Sequence, residues 1–155
     1  MEEVQIISYS PKYAKVFKSL NEAWITKYFE LEEEDIKTLG DPEKIIRDGG
    51  FILVAILRTK GEAVGVCALR KSGDKTYEFS KMAVSEEMQG LGIGKKLGEA
   101  AIEKAKGVGA KRIFLEGNTA LKASIHLYKK LGFNEIKGQK SHYKRVNIVM
   151  ERHIE

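Results

Sequence analysis

The chain has 155 residues, of which 43% are hydrophobic and 32% charged, with a formal net charge of +5. This balance predicts one folded domain, residues 1–155, rather than a disordered chain. No apolar run approaches the roughly 20 residues that cross a bilayer, so we expect no membrane partner. No run of five or more basic residues occurs, which argues against a nucleic-acid partner despite the positive charge.

The cysteine content and the N-terminal residues bear on the compartment. Cys67 is the only cysteine, so it cannot form a disulfide within the chain, and it lies in an apolar run. The chain opens with Met1, Glu2 and Glu3, acidic where a secretory signal would be basic. We therefore predict a cytoplasmic protein in a reducing compartment.

The first fifty residues predict a short strand followed by helices. Residues 4–9 alternate loosely, as in a strand, and Pro11 suits the first turn of a helix. The acidic stretch 30–35 begins a second short helix, and a third begins at Asp41. The apolar residues of the first helix recur at spacings of three and four: Tyr13, Val16, Phe17, Leu20 and Trp24.

From Phe51 the period changes from that of a helix to that of strands. Residues 51–57 form an apolar run typical of a buried strand, and two further strands are predicted at 63–69 and 76–84. Short turns rich in glycine separate them. Consecutive strands joined by tight turns form an antiparallel meander.

The second half predicts a strand-helix-strand unit. A helix from Ile93 is followed by a strand at 112–116 and by a second helix that Asn118 and Thr119 would cap. Strands at 133–136 and 146–150 close the chain. The predicted fold class is therefore α+β (mixed α/β), antiparallel at first, with a parallel crossover in its second half.

A glycine-rich turn lies between the strand at 76–84 and the helix from Ile93. Gly90, Gly92 and Gly94 alternate with larger residues, so the backbone can approach a ligand closely. The following helix offers its first amides and the positive end of its dipole, which suit phosphate oxygens. We expect a phosphorylated cofactor here. The alternative is that the turn is a flexible connector without a ligand.

Two common phosphate motifs do not fit this turn. A Walker A loop needs a glycine at Gln89 and a hydroxyl residue at Lys96. The dinucleotide fingerprint Gly-x-Gly-x-x-Gly fails in both registers, where its third glycine would be Lys95 or Leu97. The remaining pattern is Gln-x-x-Gly-x-Gly, which Gln89, Gly92 and Gly94 complete.

This pattern resembles the acyl-CoA-binding signature of the GNAT (Gcn5-related) N-acetyltransferase superfamily. Residues 81–84 look like that family's fourth strand, and Asn118 with residues 127–133 looks like its second signature block. The resemblance covers residues 51–136 well. It implies a GNAT-like, mostly antiparallel sheet flanked by helices, and an enzyme that moves an acetyl group from acetyl-CoA to a primary amine.

The resemblance also assigns the cofactor residues. The diphosphate is expected on the glycine turn, and the pantetheine arm along the backbone of the fourth strand. Lys95 would otherwise be a solvated helix lysine, and helix capping alone would equally explain Asn118. The expected cofactor-binding residues are Met82, Ala83, Val84, Gln89, Gly90, Gly92, Gly94, Lys95, Asn118 and Ser124.

Tyr128 is the candidate general acid, because the family's catalytic tyrosine stands at this place. A coenzyme A thiolate resembles a cysteine thiolate, with a pKa of about 8.5, and a phenol with a pKa of about 10 can protonate it. The alternative is a core tyrosine, since Leu121, Ile125 and Tyr128 share a helix face.

Glu78 is the candidate base. The acceptor ammonium, with a pKa of about 10.4, must lose a proton before it attacks. Glu78 stands six residues before Val84, an offset similar to that of the catalytic glutamate in histone-type members of the family. The alternative is a glutamate on the surface of a strand.

The remaining predictions concern metals, nucleophiles and partners. Three scattered histidines and Cys67 offer no metal-ligand spacing, so no metal is expected, and without a partnered nucleophile the amine attacks directly. The acceptor is a small-molecule or protein amine, and a homodimer is compatible with the family. An acyl-CoA sensor without turnover is the alternative function.

Residues outside the cofactor core are expected to set acceptor specificity. Aromatic side chains beside carboxylates suit a cationic amine, although a solvated acidic face is the favoured reading. The residues concerned are Trp24, Tyr28, Phe29, Glu30, Glu32, Glu33 and Tyr143.

Overall fold

A computed structural model describes residues 3–155. The strands are β1 (Val4–Ser8), β2 (Phe51–Leu57), β3 (Ala63–Gly73), β4 (Thr76–Val84), β5 (Arg112–Gly117), β6 (Asn134–Ile136) and β7 (Ile148–His153). The α-helices are α1 (Ala14–Tyr28), α2 (Glu33–Gly40), α3 (Glu43–Arg47), α4 (Ile93–Gly107) and α5 (Lys122–Lys130). Met1 and Glu2, which contributed to the compartment prediction, lie outside the described residues.

The seven strands form one mixed sheet in the order β1-β2-β3-β4-β5-β7-β6. Neighbouring strands are antiparallel except β4 and β5, which are parallel and are joined through α4. The predicted α+β class, the antiparallel meander and the parallel crossover are therefore confirmed.

Strands β4 and β5 pair over only three residues each. Thr76–Glu78 pairs with Arg112–Phe114, and from Phe79 onwards β4 keeps β3 on one side but, within residues 3–155, has no strand on the other. The two strands thus open a gap in the middle of the sheet. Backbone polar groups along that side of β4 have no strand partner, which is unusual for a central strand.

A β-bulge interrupts β4 beside this gap. Ala68 pairs with Ser80 and Val66 with Ala83, so Cys67 on β3 faces both Lys81 and Met82. Lys81 adopts a φ of 54°, in the left-handed region. An extra residue of this kind re-aims the side chains that follow it.

Two layers of apolar side chains cover the sheet. The α4 face buries Phe79, Leu97 and Ile113, and the face under α1–α3 buries Phe17 and Val54. Before the bulge, alternate residues of β4 face opposite sides of the sheet, and Tyr77 and Phe79 lie on the α4 face. Glu78 and Ser80 consequently lie on the face of α1 and α2.

Some element bounds differ from the sequence-based expectation. Strand β3 continues to Gly73, because the hairpin to β4 closes at residues 74–75 instead of 72–74. Helix α5 begins at Lys122, and its N-cap residue is Leu121. The prediction that Asn118 and Thr119 cap this helix is therefore wrong. Within residues 3–155, no helix is both long and apolar enough to cross a membrane.

Candidate functional site

The gap between β4 and β5 forms a cavity of about 80 Å³, called here the central cavity. Glu78 and Ser80 line it from β4, and Glu116 from β5. Tyr128 closes it on the α5 side, and Trp24 on the α1 side. The cavity therefore brings Glu78 and Tyr128, 50 positions apart in the sequence, to one space.

A groove of about 550 Å³ adjoins the central cavity along the end of β4, and is called here the loop groove. Trp24, Met82, Leu121, Ser124 and Tyr128 line both spaces. Nine of the ten residues predicted to bind the cofactor line the loop groove: Met82, Ala83, Val84, Gln89, Gly90, Gly92, Gly94, Lys95 and Ser124.

The glycine turn presents backbone to the loop groove. Gly90 and Gly92 have φ values of 81° and 83°, a conformation that side chains with a Cβ rarely adopt. Gln89 donates a hydrogen bond from Nε2 to the Val84 carbonyl at 3.1 Å and so ties the turn to the end of β4. Helix α4 begins directly after Gly92, so its first amides point into the groove region without intrahelical partners.

Gly94 has a different role from the two turn glycines. A Cβ at this position would lie 3.3 Å from Leu127 Cδ2 and 3.6 Å from Met82 Cε. The absence of a side chain at Gly94 therefore allows α4 to approach α5 and β4 closely. Lys95 is exposed at the same helix end and adds positive charge to the groove.

Asn118 is placed differently from the other predicted cofactor residues. It lines the central cavity, and both ends of its amide bind within the protein. Nδ2 donates to the Arg145 carbonyl at 2.6 Å, and Oδ1 accepts from the Ala120 amide at 2.8 Å. Its side chain thus connects the turn before α5 to the segment between β6 and β7.

Tyr128 stands where the central cavity meets the loop groove. Burial raises the pKa of its phenol to about 12, although a hydrogen bond with Ser124 acts in the opposite direction. Phe79 and Phe133 contact its ring edge to face, with centroids 6.2 and 6.3 Å away. The phenol therefore stays protonated at neutral pH and is held in one orientation.

Glu78 has the pKa expected of a base that works near neutral pH. Burial, and next the charge of Glu116, raise the pKa of its carboxyl to about 7, while Arg70 and Lys81 oppose the shift. A carboxyl with this pKa is about half ionised at pH 7 and accepts protons more readily than an exposed glutamate.

Glu78 also lines a third cavity of about 710 Å³, called here the outer mouth. Arg70, Glu78, Glu116 and Tyr143 line both the outer mouth and the central cavity. The three spaces therefore adjoin one another through shared lining residues. Glu78 borders the central cavity and the outer mouth, whereas it does not line the loop groove.

A buried ionic cluster forms one wall of the central cavity. The Asp35 carboxylate is fully buried and accepts from Lys81 Nζ at 2.7 Å and from Arg145 Nη1 and Nη2 at 2.6 and 2.7 Å. Tyr143 lies against both cations, with Lys81 Nζ 3.3 Å from its hydroxyl. Burial alone would raise the pKa of Asp35, but the hydrogen bonds from Arg145 and Lys81 lower it to about 2.

Some acidic residues near α2 are exposed to solvent, whereas others contact the buried ionic cluster. Glu30 and Glu33 are exposed, as the reading of a solvated face requires. Glu32 departs from that reading, since its carboxylate accepts from the Lys144 amide at 2.9 Å and lies 3.4 Å from Arg145 Nη1. Its side chain is therefore occupied by the protein and does not face an acceptor.

The aromatic candidates for the acceptor pocket are also separated by the structure. Trp24, Phe29 and Tyr143 line the central cavity, whereas Tyr28 lines the loop groove and is 52% exposed. Trp24 packs against the Arg145 guanidinium, 5.7 Å from its ring centroid. Three of the predicted acceptor-pocket aromatics thus form part of the wall of the central cavity.

The Cys67 thiol lines none of the three cavities. Cys67 is fully buried, with Sγ 3.9 Å from the Leu97 carbonyl oxygen, and burial raises the pKa of its thiol. In the part of the chain that the structure describes, no group of three or more His, Cys, Asp or Glu side chains is arranged to hold a metal ion.

Comparison with known proteins identifies relatives over most of this chain. The profile of the acetyltransferase (GNAT) family matches residues 13–133. An uncharacterized N-acetyltransferase of Bacillus subtilis, YvbK, is 42% identical over 104 residues, which cover 64% of this chain and 65% of that protein. This chain spans 50% to 65% of the length of the curated relatives that it matches in Escherichia coli and B. subtilis.

Two solved structures have the same fold. A GNAT-family acetyltransferase from Staphylococcus aureus superposes with a TM-score of 0.88 at 22% identity, covering 99% of this chain and 100% of the other. The acetyltransferase YncA from Salmonella typhimurium, solved with its cofactor acetyl-CoA, gives a TM-score of 0.77 at 20% identity and covers 99% and 95%.

Proposed function

The chain belongs to the acetyltransferase (GNAT) family, and we propose that it transfers an acetyl group from acetyl-CoA to a primary amine. The observation that carries this proposal is that the central cavity, which contains Glu78 and Tyr128, adjoins both the loop groove and the outer mouth. A long phosphorylated thioester would lie in the loop groove, and the amine would approach its end from the outer mouth.

Acetyl-CoA would lie in the loop groove with its diphosphate on the glycine turn. The turn offers backbone amides of the first turn of α4 and the positive end of the helix dipole, and Lys95 adds a charge. The pantetheine arm would pair with Met82, Ala83 and Val84, where β4 has no strand partner on one side. The acetyl-CoA bound to the Salmonella relative supports this assignment.

Glu78 would prepare the amine for attack. With a pKa of about 7 it can take a proton from the incoming ammonium, directly or through a water molecule. The nearby charge of Glu116 raises that pKa and also attracts a cation to this end of the cavity. The neutral amine then attacks the thioester carbonyl carbon.

Tyr128 would complete the transfer. The tetrahedral intermediate collapses to an amide and a coenzyme A thiolate, and the phenol donates its proton to that sulfur. The proton that leaves the amide nitrogen passes to water, and the phenolate takes a proton back from water. Its position between the cavity and the groove is where the sulfur of a cofactor lying along β4 would end. The backbone of β4 near the bulge would hold the carbonyl oxygen of the thioester.

Transfer is proposed to be direct, without an acetylated protein intermediate. Cys67 is enclosed by the core and its thiol is kept protonated, so it meets neither requirement of a nucleophile. The two reactants instead meet in one cavity, which is the arrangement that direct attack needs.

The test is incubation of the protein with ¹³C-labelled acetyl-CoA and a panel of small amines and peptides, followed by mass spectrometry of the products. Labelled N-acetyl products that require the protein support the proposal. Acetyl-CoA that binds but stays intact with every acceptor would instead favour an acyl-CoA sensor.

A further inference from the structure

Three polar side chains of the central cavity have no structural explanation within the fold. Arg70, Glu78 and Ser80 lie on the same face of the sheet, since Arg70 pairs directly with Glu78 and Ala68 with Ser80. All three line the central cavity, and Arg70 and Glu78 also line the outer mouth. Arg70 and Glu78 form no ion pair, and the Ser80 hydroxyl forms no hydrogen bond, among the described residues.

Arg70 is a cation without a bound partner. Within residues 3–155 its guanidinium makes no hydrogen bond, ion pair or ring contact, although Glu78 stands directly opposite it. Directly opposed side chains have Cβ atoms about 4.5–5.5 Å apart, and an arginine and a glutamate at that spacing normally pair. Here the two groups remain more than 4.0 Å apart, so both face the cavity unpaired.

The other cations at the central cavity are already neutralised. Lys81 and Arg145 bind the buried Asp35 carboxylate at 2.6–2.7 Å. Arg70 is therefore the cation of this cavity that, in the described part of the chain, remains available to an anion. Lys71 and Lys140 extend the positive charge at the outer mouth, where both are exposed.

Ser80 supplies a second, independent indication of a polar ligand. Its hydroxyl oxygen is buried at the cavity wall and, among the described residues, has no hydrogen-bond partner. Leaving such a group unpaired costs about 1–3 kcal/mol, so buried hydroxyls are normally satisfied. A ligand with polar atoms beside Glu78 would satisfy it.

We propose that the acceptor is a small amine carrying a carboxylate a few bonds from its nitrogen, as in an α- or β-amino acid, and that Arg70 binds the carboxylate. This substrate class rests on the acetyl transfer proposed above. The amine lies between Glu78 and Glu116, the carboxylate lies on Arg70, and Ser80 hydrogen-bonds one of the two. The short separation of Arg70 and Glu78 across the β3–β4 pair sets the distance between amine and carboxylate.

The chemistry of each contact matches this acceptor. A guanidinium binds a carboxylate through two parallel hydrogen bonds, which fixes the orientation of the bound molecule. Two carboxylates at the other end attract the ammonium, and one of them accepts its proton. A simple alkylamine, or a peptide N-terminus without an acidic first residue, would leave Arg70 without an anion.

The experiment compares three acceptors for each amino acid: the free acid, its primary amide, and the amine that lacks the carboxyl group. We expect the wild-type protein to acetylate the acids of at least one series with a kcat/KM at least tenfold above that of the amide and the amine. Assays at pH 9 keep Glu78 ionised with or without the Arg70 charge, which lowers its pKa. Under these conditions Arg70→Gln should raise the KM for the acid at least tenfold relative to the KM for the amide.

Two further variants separate binding from folding. Arg70→Lys keeps the charge and should restore part of the preference for the acid, whereas Arg58→Gln, at an exposed arginine paired with Glu3, should behave as wild type. Equal use of acids, amides and amines by the wild type would overturn the proposal while leaving acetyl transfer intact. An equal loss for all acceptors in Arg70→Gln would also overturn it. Bound acetyl-CoA with no product from any acceptor would overturn acetyl transfer itself, and this substrate class with it.

Discussion

Glu78 shows how strongly one position in the sheet can change the chemistry of a side chain. An exposed strand glutamate would titrate near its ordinary value, but burial and the charge of Glu116 raise the pKa of Glu78 to about 7. Arg70 and Lys81 limit the shift without pairing with the carboxylate. The residue is thus placed to titrate in the range where an acetyltransferase must deprotonate an amine.

The first prediction concerns the pH dependence of acetyl transfer. Only ionised Glu78 can act as a base, and its raised pKa means that this form predominates above about pH 7. The ratio of wild-type to Glu78→Gln kcat/KM should therefore rise with pH below 7 and level off above 8, at roughly 10²–10⁴. Taking the ratio cancels the titration of the acceptor amine, which both proteins share.

Glu116→Gln is the matched variant for this profile. The charge of Glu116 raises the pKa of Glu78, so its removal should lower that pKa. The pH at which kcat/KM reaches half of its plateau should therefore be lower in Glu116→Gln than in wild type. A ratio that does not change between pH 5 and 9 would show that Glu78 is not the base.

At the scale of elements, the glycine turn depends on backbone conformations that a side chain opposes. Gly92 precedes α4 with a φ of 83°, and a Cβ there would meet no protein atom within 4 Å, because it faces the groove. Gly92→Ala adds strain of about 1–2 kcal/mol and places a methyl group beside the ligand. We expect the Kd for acetyl-CoA to rise about tenfold or more.

The control for this prediction lies at the other end of the same helix. Gly107 is the last residue of α4, has no left-handed φ, and likewise has nothing within 4 Å of an added Cβ. Gly107→Ala should leave the Kd unchanged. Fluorescence of Trp24, the only tryptophan, can report both titrations because it lines the loop groove. Similar Kd values for the two variants would contradict binding at the turn.

The Asp35 cluster joins three elements that are distant in sequence. Asp35→Asn leaves Lys81 buried without its counter-charge and leaves Arg145 with Glu32 alone, at 3.4 Å; breaking a buried pair in this way typically costs about 3–5 kcal/mol. Urea unfolding of the variant at pH 7 should show a loss of this size. Because the folded-state pKa of Asp35 is lowered to about 2, its contribution is present above about pH 4 and is lost as the pH falls toward 2.

Glu33→Gln is the control for the Asp35 variant. Glu33 is 85% exposed and lies 3.7 Å from Lys37, a surface pair whose loss should change the free energy of unfolding by less than about 1 kcal/mol. A comparable effect of the two substitutions would show that the cluster does not stabilise the cavity wall.

Comparison of particular elements shows what the sequence could predict. Strands β2 and β4 were predicted with their observed bounds, because apolar runs and alternating residues are local signals. The α5 start was wrong, because an asparagine that closes a turn by binding Ala120 has the same local pattern as a helix cap. The bulge at Lys81 has no comparable local signal.

The candidate site likewise contains residues that the sequence predicted and residues that it did not. The glycine turn, Glu78 and Tyr128 were found because their spacing in the sequence resembles a family pattern. Asp35 pairs with Lys81 and Arg145 across 46 and 110 positions, and no sequence periodicity relates them. The capping box between Glu32 and Asp35 was the only local hint that these two carboxylates face inward.

At the scale of the whole molecule, the divergence of β4 and β5 makes room for the central cavity in the middle of the sheet. The loop groove and the outer mouth both adjoin this cavity, so the proposed function gives acetyl-CoA and the amine separate approaches to Glu78 and Tyr128. The single-domain organisation, the cytoplasmic location and a homodimer stay predictions from the sequence.

The measurement that tests acetyl transfer most directly compares wild type with Tyr128→Phe, using ¹³C-labelled acetyl-CoA and an accepted amine. The variant should form labelled N-acetyl product at least 10²-fold more slowly and bind acetyl-CoA with an unchanged Kd, because it lacks only the proton for the leaving thiolate. Tyr13→Phe, at a tyrosine outside both spaces, should match wild type. Equal rates for wild type and Tyr128→Phe would contradict Tyr128 as the general acid, and no labelled product from the wild type would contradict acetyl transfer.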